Sequence, residues 1–252
     1  MSLRVLIAGA TGWTGAPLTE AVAAADDLEL AGGIARSGGA TFHSVDEAFA
    51  AGPADVFVDY TSAAVVRQNV DAALAAGAHV VIGSSGLTER DFAELDETAR
   101  AAGLGVFAAG NFSVLAATLL HAATVAARHI DHWEILDYGS FGKPDVPSGT
   151  SRELAERLAE VRTPTPAAHD HDVIGPAAAR GADVAGTRVH SLRLPSYALS
   201  TEVVLATPDE RLHIRHEAGP SAAPYIAGTL LAIRRVPEVT GVLRGLDRLL
   251  FG

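Results

Sequence analysis

Two short stretches of this sequence join small residues to hydroxyls in a way that suits anion chemistry. The first is Gly9-Ala10-Thr11-Gly12-Trp13-Thr14-Gly15, directly after the apolar run Val5–Ala8. Glycines at this spacing let a backbone approach a pyrophosphate, and a helix starting there offers N–H donors and the positive end of its dipole. The second is Pro147-Ser148-Gly149-Thr150, with Lys143 just upstream. Its amides and hydroxyls at a helix start suit an anion, although Ser148 also reads as a plain N-cap. The Lys143 ammonium is placed to bind the same anion or to deliver a proton.

The residues after the second strand say which dinucleotide to expect. NAD-selective sites place Asp or Glu about 20 residues past the glycines, on the ribose 2′-OH. Here that place reads Ile34-Ala35-Arg36-Ser37-Gly38, without a carboxylate. Arg36 and Ser37 suit a 2′-phosphate, so NADPH is expected over NADH. Three further loops leave the carboxyl ends of strands, where an α/β sheet binds its ligand: Asp59-Tyr60-Thr61-Ser62, Gly83-Ser84-Ser85-Gly86 and Gly110-Asn111-Phe112-Ser113.

The elements that must carry these loops follow from periodicity. Arg4–Ala8, Leu28–Ala35, Val56–Asp59, His79–Ile82 and Gly105–Ala109 read as short apolar strands. Helical stretches at Ala16–Ala25, Ala63–Ala76 and Glu89–Ala102 separate them. That alternation predicts an α/β fold, a Rossmann-type doubly wound parallel sheet covered on both faces. The second half changes character. A helix over Ser113–Ile130, a strand over His132–Tyr138 and a helix over Thr150–Val161 precede a long loop, Thr163–Gly186. Strands Arg188–Leu194, Ser200–Ala206 and Arg211–Glu217 follow without helices between them, then a helix over Ala223–Val236 and an amphipathic tail. Consecutive strands predict antiparallel pairs and a second, α+β domain. The expected division is a dinucleotide domain of residues 1–112 and 223–252, with a substrate-binding and oligomerisation domain of residues 113–222 between.

Composition narrows the class. A formal charge of −11 and the lack of a basic stripe argue against nucleic acid. No apolar run reaches the roughly 18 residues of a membrane span, and nothing resembles a cleavable leader, so a cytoplasmic enzyme is expected. Cysteine is absent, which removes disulfides and thiolate chemistry. No metal site is expected: His169 and His171, with Asp170 and Asp172, lack a third spaced ligand.

Taken with Lys143-Pro144-Asp145-Val146-Pro147-Ser148-Gly149-Thr150, the loop motifs make nearly the whole chain resemble the dihydrodipicolinate reductase family of the diaminopimelate–lysine pathway. The resemblance implies NAD(P)H-dependent reduction of a carboxylate-bearing cyclic imine or enamine by a homotetramer assembled through the mixed sheet. It implies nucleotide contacts from Gly9, Thr11, Gly12, Trp13, Thr14, Gly15, Arg36, Ser37, Tyr60, Thr61, Gly83, Ser84, Ser85, Asn111 and Phe112. Ser148, Gly149 and Thr150 would hold a substrate carboxylate.

One stretch departs from the pattern. The family reads Glu-x-x-Glu-x-His-His-x-x-Lys, the first histidine being the proton donor; this chain reads Glu134-Ile135-Leu136-Asp137-Tyr138-Gly139-Ser140-Phe141-Gly142-Lys143. Gly139 and Ser140 stand where the histidines would be. Three explanations remain: Lys143, Tyr138 or a bound water protonates the family substrate; the enzyme reduces a different cyclic imine; or the chain binds NADPH without turnover.

Overall fold

The computed structural model describes residues 2–36, 38–165 and 173–252. Its contacts divide the chain into two units, Met1–Val114 with Ala222–Gly252, and Leu115–Ser221.

The first unit is built on β1 (Leu3–Ala8), β2 (Leu28–Ile34), β3 (Val56–Asp59), β4 (His79–Ile82), β5 (Gly105–Ala108) and β11 (Gly241–Arg244). They form one parallel sheet in the order β11-β5-β4-β3-β1-β2. Every residue of β3 and β5 is buried, as expected of strands covered on both faces. The covering helices are α1 (Gly15–Ala23), α2 (Val45–Ala51), α3 (Val66–Ala75), α4 (Glu89–Ala102) and α7 (Ala223–Arg235). Helix α1 packs on α7, whereas α2, α3 and α4 pack in succession. Strands β2 and β3 flank β1, so the order reverses there and the loops after β1 and β3 face one another at the switch point.

The second unit holds β6 (His132–Gly139), β7 (Ala182–Val184), β8 (Thr187–Arg193), β9 (Leu199–Ala206) and β10 (Arg211–Ala218), ordered β10-β9-β6-β8-β7. Helices α5 (Val114–Ala127) and α6 (Gly149–Val161) supply its helical layer. Leu119, Leu120, Leu154 and Leu158 bury against Trp133, Ile135, Val189, Val203 and Leu205. Trp133, Ile135 and Asp137 therefore share the helix-facing side of β6, and the period of two turns Glu134, Leu136 and Tyr138 to the other side.

The doubly wound fold with a second mixed sheet is as the sequence predicts, with four differences in detail. Residues 45–51 form α2, whose start is capped by the Ser44 side chain accepting from Glu47 N–H at 3.1 Å. The C-terminal tail contains β11, held by its ladder to β5, and a short helix α8 (Leu246–Phe251). The expected loop 163–186 contains a 3₁₀ turn, Ala177–Arg180, and β7. Strands β8 and β9 are not neighbours: β6 lies between them, parallel to β8 and antiparallel to β9. Among the described residues no helix is long and apolar enough to cross a membrane, and no cluster of potential metal ligands occurs.

Candidate active site

In the first unit the loops after β1, β3 and β4 interlock. Gly9 adopts φ +81°, and its α-carbon meets the Tyr60 carbonyl so closely that a Cβ would lie 2.2 Å from the oxygen. Only glycine tolerates both the left-handed backbone and the approach. Gly12 donates its N–H to the Gly9 carbonyl at 2.8 Å, closing the turn that starts α1. Thr14 precedes α1 without capping it through its side chain; in the first turn Ala16 N–H donates to the Gly12 carbonyl at 3.0 Å and Pro17 has no N–H. Thr11, Gly12 and Trp13 are exposed, and Trp13 lies edge-on to Tyr225, ring centroids 5.7 Å apart.

Below this loop, Asp59 at the end of β3 is fully buried. It accepts from Thr61 N–H (3.0 Å), Thr61 Oγ1 (2.7 Å), Asn69 Nδ2 (2.8 Å) and Ser84 Oγ (2.5 Å), tying the β3 and β4 loops together. The Tyr60 ring covers Gly83, where a Cβ would fall 2.1 Å from the ring. Tyr60 and Thr229 share a hydroxyl hydrogen bond at 2.7 Å, and burial raises the Tyr60 pKa. Phe112 is buried, edge-on to both Tyr60 and Phe107. Asn111 is buried as well and accepts from Ser113 N–H at 2.8 Å, while Ser85 is exposed. Tyr60, Thr61, Gly83 and Ser84 are thus brought together; Asn111 and Phe112 brace this framework from within.

After β2 the chain folds back on itself, Ala35 N–H donating to the Phe42 carbonyl at 3.0 Å. Arg36 stands exposed on this loop and forms no ion pair among the described residues. Ser37 lies outside them, as do His169, Asp170, His171 and Asp172. A glycine turn between β1 and α1 is the place where such a sheet takes a dinucleotide.

The second unit centres on another fully buried carboxylate, Asp137. It accepts from Ser148 N–H (3.0 Å) and Ser151 Oγ (3.1 Å) at the start of α6, from Ser191 Oγ (2.9 Å) and from Arg193 Nη2 (2.7 Å). Burial pushes the Asp137 pKa up, but the bonds from Ser148, Arg193 and Ser191 outweigh it and hold the group below its usual value. Ser148 caps α6 through its own hydroxyl, which accepts from Ser151 N–H at 3.3 Å, and is buried. Ser148 therefore turns its hydroxyl inward, and Thr150 beside it is buried as well. Lys143 sits on the intervening loop in a 2.7 Å ion pair with Asp145.

Tyr138 is not part of this group. It projects from the opposite side of β6, donates to Glu202 at 3.0 Å and carries Arg215 over its ring at 4.7 Å. Burial and the Glu202 carboxylate raise its pKa. Asp137, Arg193 and Asp59 went unrecognised in the sequence. The available signal for Arg193 was its place in Val189-x-Ser191-x-Arg193, where an Arg shares the inward side of a strand and needs a buried partner.

A parallel sheet with a glycine turn at its switch point, joined to an α+β unit bearing an anion-type helix start, defines a pyridine-nucleotide oxidoreductase. The comparisons specify it. The family profile "Dihydrodipicolinate reductase, N-terminus" matches residues 3–112, and its C-terminal counterpart matches residues 112–250. A 4-hydroxy-tetrahydrodipicolinate reductase of Synechococcus elongatus is 35% identical, the alignment covering 98% of each chain. One from Streptococcus pneumoniae is 37% identical over 99% of this chain and all of its own. The dipicolinate-bound dihydrodipicolinate reductase of Paenisporosarcina sp. TG-14 superposes with a TM-score of 0.83, at 25% identity over 98% of this chain and 99% of its own. The chain belongs to the dihydrodipicolinate reductase family and is an NAD(P)H-dependent reductase.

Proposed function

We propose that the chain reduces the unsaturated C–N heterocycle of 4-hydroxy-tetrahydrodipicolinate, or a closely related cyclic dicarboxylate, with NADPH preferred over NADH. The first unit would hold the nucleotide: the Gly9–Gly15 turn and the start of α1 take the pyrophosphate, and Arg36 with Ser37 takes the 2′-phosphate. Tyr60, Thr61, Gly83, Ser84 and Ser85 would line the nicotinamide end, with Asn111 and Phe112 behind them. When bound, the nucleotide supplies the hydride.

In the second unit, Gly149 and Thr150 at the start of α6 would hold a substrate carboxylate, with Ser148 fixing the turn. Lys143 would bind the same charge and protonate the substrate atom that receives the electron pair as a C–H bond forms. The observation that carries this reading is the identity of residue 143. The chain contains 19 basic residues, Lys and Arg together, and Lys143 is the single lysine. The other 18 of these are Arg, which does not release its proton. An ammonium kept on the loop before α6 is the group able to combine charge with proton transfer.

Turnover with NADPH and the family substrate tests the reading. Lys143→Ala should lower kcat/KM by roughly 100-fold or more, the scale of a lost general acid, with NADPH affinity unchanged. A specific observation supports a second reading: Gly139 and Ser140 carry no imidazole. If the family substrate is inert while another cyclic imino acid is reduced, the chain has diverged in substrate. Inactivity on all such compounds despite firm NADPH binding would overturn the reductase assignment of the site.

The reading also takes the enzyme to be cytoplasmic and a homotetramer assembled through the strands of residues 188–217. A strict monomer in light scattering at micromolar concentration would overturn the assembly.

A further inference from the structure

We propose that Arg193 is a positioning residue which fixes Lys143 and the first turn of α6 relative to each other, through the space that Gly139 leaves beside it. The inference rests on the proposed substrate site and deepens it.

One guanidinium holds both ends of the loop between β6 and α6. Nη2 donates to Asp137 Oδ2 at 2.7 Å and to the Asp145 carbonyl at 2.6 Å. Nη1 donates to the Leu192 carbonyl at 2.9 Å and the Asp137 carbonyl at 3.3 Å. Two chains of contact leave this point. Through Asp145 the grip reaches Lys143, because the same residue whose carbonyl Arg193 holds pairs its carboxylate with Nζ at 2.7 Å. Through Asp137 it reaches Ser148 N–H and Ser151 Oγ, and hence the opening of α6. The ammonium and the helix start are fixed against a single planar group whose geometry is rigid.

The guanidinium lies against Gly139. A Cβ there would fall 3.1 Å from Cζ, Nε and Nη1 of Arg193 alike, closer than ordinary van der Waals contact. The side chain of Arg193 is 14% exposed and that of Asp137 not at all. A buried pair of this kind is weak evidence for stability, whereas fixing a unique arrangement is a role that such pairs serve in some proteins. The missing side chain at position 139 thus does more than remove a proton donor, because it leaves a fixed cation undisturbed beneath the loop.

The test uses the full chain. Arg193→Lys keeps a positive charge for Asp137 but gives up the planar fork that reaches Asp145 at the same time. It should lower kcat at least tenfold and raise KM for the cyclic dicarboxylate, with the Kd for NADPH unchanged. Arg193→Ala should regain part of its kcat in added guanidinium chloride, at concentrations well below the unfolding range, whereas Arg193→Lys should not. Gly139→Ala, pressing on the guanidinium, should act in the same direction by about threefold to tenfold.

Lys143 being the only lysine, reductive ¹³C-methylation places one labelled side chain in the protein. Its resonance in wild type should differ from that of a mobile lysine, and should move toward the mobile position in Arg193→Lys. Wild-type kcat, KM and resonance in Arg193→Lys would overturn the proposal, as would losses that follow melting temperature and NADPH affinity together. If the wild type reduces no cyclic imine, the site assignment fails, and the Lys143 resonance alone then decides whether Arg193 positions it.

Discussion

Asp59 and Asp137 occupy equivalent places in the two units, each fully buried at or near the end of a strand and each binding four donors. Their partners differ. Asp59 is surrounded by an amide N–H, two hydroxyls and the Asn69 amide, all neutral. Asp137 has an amide N–H, two serine hydroxyls and a guanidinium. The donors of Asp59 come from the loops after β3 and β4 and from Asn69 on α3, none more than 25 residues away in sequence. Asp137 must tie α6 and a loop to β8, and a long side chain with several donors does this in one step. Neutral donors suffice for local bracing. A charge is used where distant segments have to be fixed together.

The largest effect should come from breaking the charged hub. Asp137→Asn leaves the Arg193 guanidinium largely buried without a countercharge, a change that costs about 3–5 kcal/mol in comparable pairs. Urea unfolding followed by far-UV circular dichroism measures it. Asp59→Asn removes a carboxylate that has no ion pair among the described residues and should cost about 1.5–3 kcal/mol, the scale of hydrogen bonds to a charged group. If Asp59→Asn proved the more damaging, the contrast between the two hubs would be wrong. Acid titration sharpens the contrast. The folded Asp137 pKa is lowered, so its contribution is complete above the unfolded carboxylate value of about 3.9 and is lost as pH falls through the folded value.

Arg36 offers the converse of Arg193. It is exposed on the loop after β2 and belongs to neither hub. Arg36→Ala should weaken NADPH binding by roughly tenfold to a hundredfold, the range of charge-assisted hydrogen bonds to phosphate. NADH affinity and the unfolding midpoint should stay within error. Isothermal titration with both nucleotides checks this, and equal wild-type affinities would end the case for NADPH preference.

How far the sequence reveals this arrangement depends on whether the cause is local. The Gly9–Gly15 turn, the buried strands and the start of α6 follow from neighbouring residues and were readable. The Arg193–Asp137 pair spans 56 residues and forms only when β8 docks beside β6. Nothing next to Arg193 marks it except its place on the inward side of the strand. The inward turn of Ser148 likewise depends on Asp137, so a capping role and a ligand role could not be separated. Strand β11 is four residues whose register comes wholly from β5, and a tail without its partner reads as an amphipathic end.

The smallest predicted effect concerns the first unit, where the hub itself carries no paired charge. His79, at the start of β4, accepts Gly105 N–H on Nδ1 at 2.9 Å and so joins β4 to β5. Only the neutral ring can accept at that nitrogen in this geometry. Burial lowers its pKa, with Asp55 opposing, so the unfolded chain binds a proton near pH 6.5 that the folded chain refuses. Below that pH the unfolded state holds more protons and stability falls; above it the contribution is complete. His216 on β10 is also lowered by burial, so the two must be separated by mutation. In His79→Asn the amide oxygen replaces Nδ1 as acceptor without titrating. At pH 8 the substitution should change stability by no more than about 1 kcal/mol, the net value of one hydrogen bond. Between pH 7 and 5 the variant should lose less stability than the wild type. Parallel pH profiles for the two proteins would mean that His79 contributes nothing to the loss of stability over this range.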